Sequence, residues 1–183
     1  MDVRLRSLGR MVDYVLAVDR EQFAQQYPGC YLVPMGLVTA EEIHSSSGAD
    51  LDDDKAPETM SLHFEDDPRH RMGQPHPLAG ELFQIAETGG QQFTLGRSKR
   101  CDLCVPDESV SEQHCRMEVV PEGLVVVDLG STNGTSVNSR KLVSDEPELL
   151  SNGDMLTVGR YCFELLSAAA LYSMLSLIRN PDA

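Results

Sequence analysis

The chain has 183 residues, 41% of them hydrophobic and none of them tryptophan, with 29 acidic residues against 15 basic ones for a formal net charge of −14. That length suits one ordinary domain with extra segments, its core filled by aliphatic side chains. A surface this acidic repels nucleic acid and anionic lipid, so neither is expected as a partner.

The first zone, residues 1–40, is mixed and moderately apolar. Residues 12–18 (VDYVLAV) read as a strand, Asp19 as the cap of a short helix reaching Gln26, and residues 30–33 (CYLV) as a second strand. Such a small α/β segment cannot hold a core alone and is expected to pack on the rest of the chain or on a partner. The apolar run 11–18 is short and broken by Asp13. The run 165–178 falls short of the ~20 residues that span a bilayer. The five cysteines form no regular framework, which fits reduced thiols and a cytoplasmic location.

Residues 41–77 read as an acidic flexible linker. Between Glu41 and Asp67 ten carboxylates face only Lys55, and Pro57, Pro68, Pro75 and Pro77 break any regular element. Residues 78–168 then alternate short apolar runs with turns. Phe83 and Ile85, Phe93 and Leu95, and Cys115, Met117 and Val119 each alternate with polar neighbours. Turns at 88–90, 121–123 and 151–154 separate these from runs at 124–129, 155–158 and 161–165. Frequent short strands without intervening helices predict a mainly β fold, an antiparallel β-sandwich. Residues 169–183 should form a closing helix and tail, the helix starting near Ala168 and stopping before Pro181.

Three clusters sit where strands give way to loops: residues 95–102, with Gly96-Arg97 and then Lys99 and Arg100; residues 109–114, with Ser111-Glu112-Gln113-His114; and residues 128–138, with Ser131-Thr132-Asn133-Gly134-Thr135 and Asn138 trailing. Sandwich loops gather at the ends of the sheets and can share one surface. The chemistry suits a phosphoryl group, which brings about −1.5 to −2 charges and three acceptor oxygens. Arg97 offers a planar two-pronged donor, Ser111 and Thr132 offer hydroxyls, and Asn133 offers both donor and acceptor to a peptide backbone.

These blocks, Gly-Arg, then Ser-x-x-His, then Ser-Thr-Asn-Gly-Thr with a later Asn, resemble the hallmark blocks of the forkhead-associated (FHA) domain family in order and separation. The resemblance covers about half the chain. It implies a sandwich that binds phosphothreonine in a partner, with Arg97 and Ser111 on the phosphate, Thr132 assisting and Asn133 on the peptide main chain. Gly96, His114 and Gly134 would shape the loops, Asn138 would support the last one, and Lys99 and Arg100 would add accessory charge. Two positions depart from the family pattern: Glu112 stands where a basic residue or Asn is frequent, and Ser139 where Gly is usual. With Asp107 and Glu108 also expected near the rim, acidic residues flanking the phosphothreonine should be disfavoured. The resemblance further raises Thr59 as a self-phosphosite able to occupy the chain's own pocket, against its plain reading as an unmodified linker residue.

The expected function is therefore a phosphothreonine-dependent adaptor in a Ser/Thr-kinase pathway. It would bind a phosphothreonine-containing protein, such as a kinase or its substrate, with no cofactor. The rival is a structural subunit using the same sandwich as a phosphate-independent platform. An enzyme is not expected, because no Gly-rich phosphate loop, HExxH or nucleophile elbow is present. A metal is not expected either. Cys101 and Cys104, three apart on a strand, would face opposite sides, and His63, His70 and His76 lie in or beside the linker. The stripe Leu171, Met174, Leu175 and Ile178 reads as core packing of the closing helix.

Overall fold

In the computed structural model, residues 3–15, 17–37, 78, 81–85 and 91–179 are described. The expected linker with Thr59, His63, His70 and His76, the turn at 88–90 and the helix stop before Pro181 lie outside the described residues.

Twelve strands and three helices follow one another along these residues. The first zone gives β1 (Val3–Ser7), α1 (Leu8–Val15), α2 (Arg20–Gln26) and β2 (Cys30–Leu37). Then come β3 (Glu81–Ile85), β4 (Gln92–Gly96), β5 (Leu103–Cys104), β6 (Cys115–Val120), β7 (Gly123–Asp128), β8 (Thr135–Val137) and β9 (Arg140–Lys141). The chain continues with β10 (Pro147–Leu150), β11 (Met155–Val158), β12 (Tyr161–Ser167) and α3 (Ala168–Arg179). Two sheets form, in the orders β1-β3-β2-β12-β11-β8-β9 and β10-β7-β6-β4-β5. Every strand pair is antiparallel except β4–β5. The fold is a mainly antiparallel β-sandwich with a C-terminal helix.

Inward-facing residues of both sheets, among them Phe93, Leu95, Met117, Leu124, Val126, Leu156, Val158 and Phe163, fill the space between them. A second core lies between sheet and helices, where Met11, Val15, Phe23, Tyr31, Val33, Leu82, Leu166, Leu171 and Leu175 pack together. Tyr172 Oη ties α3 to the first zone by donating to the Val18 carbonyl at 3.2 Å. Of the predicted apolar stripe on α3, Leu171 and Leu175 are fully buried and Met174 packs at the edge. The side chain of Ile178 is outside the description.

The first zone corrects one expectation. Residues 12–18 do not form a strand: α1 covers residues 8–15 and ends where the strand was expected to run on. Met11 and Val15, four apart, point into the second core, a helical spacing that outweighs the β-branched residues. The helix after Asp19 forms as expected. Its capping box joins Gln22 N to Asp19 Oδ1 at 2.8 Å and Asp19 N to Gln22 Oε1 at 3.3 Å. The zone also does more than pack on the sandwich. Its strand β2 enters the larger sheet, pairing with β12 from Cys30↔Ser167 to Leu37↔Tyr161 and with β3 from Cys30↔Ile85 to Leu32↔Phe83. The predicted alternation in β3 is overridden for the same reason. Leu82 and Gln84 are buried along with Phe83 and Ile85, because helices cover the outer face. Buried Gln84 is satisfied by accepting from Arg6 Nε at 2.8 Å and donating to the Pro28 carbonyl at 2.9 Å.

Candidate functional site

The pairing registers bring the loops together. Leu95 lies opposite Cys115, Cys115 opposite Asp128, and Val158 opposite both Thr135 and Tyr161. The segments 97–102, 105–114, 129–134 and 159–160 therefore all leave the same end of the sandwich. Backbone bonds lock them to one another. Arg97 N donates to the Ser111 carbonyl at 2.9 Å, Ser98 N to Glu112 O at 3.2 Å, and Leu129 N to His114 O at 3.0 Å. Gly96 makes the approach of the Glu112 carbonyl sterically possible, because a Cβ there would lie 2.3 Å from its oxygen.

On this frame the predicted hydroxyls meet. Ser111 Oγ accepts from Thr132 N at 3.0 Å and lies 3.4 Å from Thr132 Oγ1. Asn133 Nδ2 donates to the Ser109 carbonyl at 2.8 Å, so this side chain also pins its own loop to the neighbouring one. The side chain of Arg97 is 47% exposed, and its guanidinium stands 3.6 Å from the Glu112 carboxylate, itself 75% exposed. Glu112 thus pairs with Arg97 itself, and Lys99 and Arg100 stand exposed on the same loop. An exposed pair at this distance is weak and exchangeable. The result is an open patch with a guanidinium and two hydroxyls on adjacent loops, able to receive a tetrahedral oxyanion.

The residues beneath the patch hold it in place. His114 is fully buried. Its Nδ1 accepts from Ser111 N at 3.0 Å and its Nε2 lies 3.0 Å from the Gly134 carbonyl. Accepting at one nitrogen and donating at the other requires the neutral ring with the proton on Nε2. Burial pushes the His114 pKa down, with the Gly134 carbonyl and Asp128 opposing. Asp128 anchors the third loop through Ser131 N at 2.9 Å, Ser131 Oγ at 2.6 Å and Thr135 Oγ1 at 2.6 Å. Burial raises its pKa, but these hydrogen bonds outweigh that and hold the carboxyl below its usual range. Asn138 braces the β8–β9 turn onto β11, donating to Asp154 Oδ1 at 2.8 Å and accepting from Met155 N at 2.9 Å. Ser139, expected to be a minor departure from glycine, sits at φ 66°, the left-handed region where glycine is favoured.

The neutral ring sets a pH dependence. A histidine whose folded pKa lies below its unfolded value contributes stability that is complete above the unfolded pKa of about 6.5 and is lost as pH falls from there. Lowering the pH from 7.5 to 5 is expected to reduce the urea midpoint. The His114 ring should titrate below the usual histidine range by NMR. A ring already protonated at pH 6.5 in the folded protein would contradict the assignment.

One rim residue is corrected. Asp107 does not face the ligand side. It is 4% exposed, paired with the equally buried Arg160, and it accepts from Tyr161 Oη at 3.1 Å and Ser109 N at 2.9 Å. Arg160 N in turn donates to Ser109 Oγ at 3.2 Å, and Ser109 O receives Asn133. This buried pair ties the second loop to the β11–β12 turn and, through Ser109, to the third. Ser109 and Asp128 lie inside the predicted clusters but carried no assigned role there, and Arg160 lies outside them. Asp128-x-x-Ser131, a turn-forming spacing, carried a local signal for the second of these. The two cysteines of the CxxC spacing use separate acceptors: Cys101 Sγ bonds Glu112 O at 3.1 Å and Cys104 Sγ bonds Arg97 O at 3.5 Å. Among the described residues no group of His, Cys, Asp and Glu is placed to hold a metal, and no helix is long and apolar enough to cross a membrane.

Residues 93–159 match the family model described as FHA domain. This stretch is an FHA domain. Its relatives include the Dictyostelium discoideum protein named "Probable serine/threonine-protein kinase fhkA", 35% identical over 83 residues, or 41% of this chain. Another is the E3 ubiquitin-protein ligase CHFR of Xenopus tropicalis, 41% identical over 89 residues, or 48% of this chain. The aligned region spans 14% of each of these proteins. Among solved structures, the FHA domain of the CT664 protein from Chlamydia trachomatis is 26% identical, with a TM-score of 0.43, covering 47% of this chain and 83% of that one. The FHA match takes in all three predicted clusters. It stops short of β12 and leaves out β1, β2, β3 and all three helices.

Proposed function

We propose that the chain is a phosphothreonine-dependent protein-binding module, acting as an adaptor in Ser/Thr-kinase signalling. The observation that carries this reading is the backbone bond that sets Arg97 beside Ser111, together with the contact of the Ser111 and Thr132 hydroxyls, at one end of an FHA sandwich. In this reading Arg97 forms charge-assisted, two-pronged bonds to the phosphate and the two hydroxyls donate to its remaining oxygens. Asn133 bonds the peptide main chain beside the phosphothreonine, while Gly96, His114, Gly134 and Asn138 hold the loops in register. Lys99 and Arg100 add long-range attraction for an anionic peptide in a chain that is otherwise strongly acidic. The partner is a phosphothreonine-containing protein, a kinase or a kinase substrate, and no chemistry on it is assigned to this domain.

The test is calorimetry with peptide pairs that differ only in phosphorylation of the threonine. Binding of the phosphorylated member, with the unphosphorylated one at least about 30-fold weaker, is the expected result. Equal affinity for both would favour the second reading, a phosphate-independent assembly platform. That reading draws on the Arg97–Glu112 pair, in which a carboxylate already occupies the guanidinium. Phosphatase treatment of a bound partner separates the two in the same way, since only the adaptor releases it.

A further inference from the structure

We propose that Lys141 selects peptides with an acidic side chain near the phosphothreonine, on the Asn133–Gly134 side of the site. The proposal rests on the phosphothreonine reading above and adds the residue that decides which phosphothreonine sequences are preferred.

The placement of Lys141 begins with strand pairing. The residue lies on β9, opposite Ser136 of β8, and β8 starts at the residue following Gly134. Its stem runs back along the loop: a Cβ on Gly134 would lie 2.4 Å from Lys141 Cε and 3.2 Å from Nζ. Gly134, at φ 82°, thus leaves the space that the lysine fills, and the ammonium is held beside the loop that presents Thr132 and Asn133. Lys141 is exposed, and among the described residues its ammonium has no hydrogen-bond or ion-pair partner. That is against expectation in a chain where acidic residues outnumber basic ones by nearly two to one. The neighbouring cation shows the contrast, because Arg140 is engaged by Glu148 on β10.

The charges around the pocket are therefore polarised. Glu112, on the second loop, stands exposed against Arg97, while Lys141 stands without a carboxylate by the third loop. A peptide crossing the pocket meets Glu112 among Arg97, Lys99 and Arg100 on the first two loops, and by the third loop a Lys141 with no carboxylate beside it. The sequence-based expectation of a uniform bias against acidic flanks counted Asp107, which the fold has turned inward. On the Lys141 side the bias reverses. Because packing along Gly134 already orders the stem, less side-chain freedom is lost when the ammonium meets a carboxylate.

The experiment is a binding scan of a phosphothreonine peptide in which a single aspartate is moved through the flanking positions of an alanine background. The proteins are the wild type, Lys141→Met, which keeps the stem, and Lys141→Glu. Aspartate at one position is expected to tighten wild-type binding by up to about five-fold, the upper range for an exposed charge pair. Lys141→Met should lose that gain while binding the all-alanine peptide as the wild type does, and Lys141→Glu should prefer lysine at the same position. Equal weakening of aspartate and alanine peptides by Lys141→Met would overturn the proposal, as would a wild type indifferent to aspartate everywhere. Both outcomes leave phosphothreonine dependence standing. A wild type that binds no phosphothreonine peptide sinks the parent reading and this one together.

Discussion

Arg97→Ala is expected to reduce phosphothreonine-peptide affinity by about 30-fold or more while leaving the fold intact. The side chain is half exposed and pairs with the exposed Glu112 at 3.6 Å, so its removal uncovers no buried charge. In the complex the balance is different. A phosphate lowered onto the Ser111 and Thr132 hydroxyls is partly desolvated, and truncating one side of such a charged pair costs about 2–5 kcal/mol. At about 1.4 kcal/mol per decade that is at least a 30-fold loss. Arg97→Lys keeps the charge but not the planar fork, and should recover only part of the affinity. Glu112→Gln should act in the opposite direction. It removes a competitor for the guanidinium and a like charge beside the phosphate, an effect of roughly 0.8 kcal/mol per charge pair at about 5 Å in water. Calorimetry at matched ionic strength reads all three, and an Arg97→Ala protein that binds as the wild type does would remove the mechanism.

Arg160→Ala should produce the largest loss of stability, about 3–5 kcal/mol, because it strands the Asp107 carboxylate 4% exposed and without its counter-ion. That is a large share of the 5–15 kcal/mol by which ordinary domains are stable. Burial alone would raise the Asp107 pKa. Bonds from Ser109 and the Arg160 pair overcome this and hold it below the usual range. Its contribution is therefore present above a pH of about 4 and is lost as pH falls lower. Replacing both partners with apolar side chains, Asp107→Leu with Arg160→Met, should restore much of the stability, since no charge is then left unpaired. Peptide affinity is expected to stay reduced in that double variant. Ser109 loses its bond to Asp107 Oδ1, and the Asn133 anchor is loosened with it. Urea denaturation read beside peptide titration separates the two effects.

Much of the sandwich is legible in the sequence because one face of β6 in the smaller sheet is wet. Cys115, Met117 and Val119 are buried while Arg116 is exposed, and that period of two is visible without coordinates. The pattern fails where a third layer covers the sheet. In β3 four successive residues are buried, and in α1 the β-branched residues of VDYVLAV imitate a strand until Met11 and Val15 are seen to share a helical face. At the site, the residues that face outward were legible from the three clusters. Of the buried supports His114 was legible in Ser-x-x-His, but the Asp107–Arg160 pair was not, since these two carry no local motif and meet only through the fold. Lys141 was hidden for a related reason. Its importance rests on what Gly134 lacks, and nothing in the run Asn138-Ser139-Arg140-Lys141 indicates that contact.

The insertion of β2 between β3 and β12 joins strands that are far apart in sequence. During synthesis β1, β2 and β3 leave the ribosome early, but the longest ladder of the larger sheet cannot form until β12 follows. Until then the free edge of β2 and the apolar residues of the second core await α3, a period in which mispairing and aggregation compete with closure. Loop closure over so many residues also slows the step itself. Closure of the larger sheet is therefore expected to wait for β12, and an FHA segment cut to residues 93–159 would lack the strand that completes its sheet.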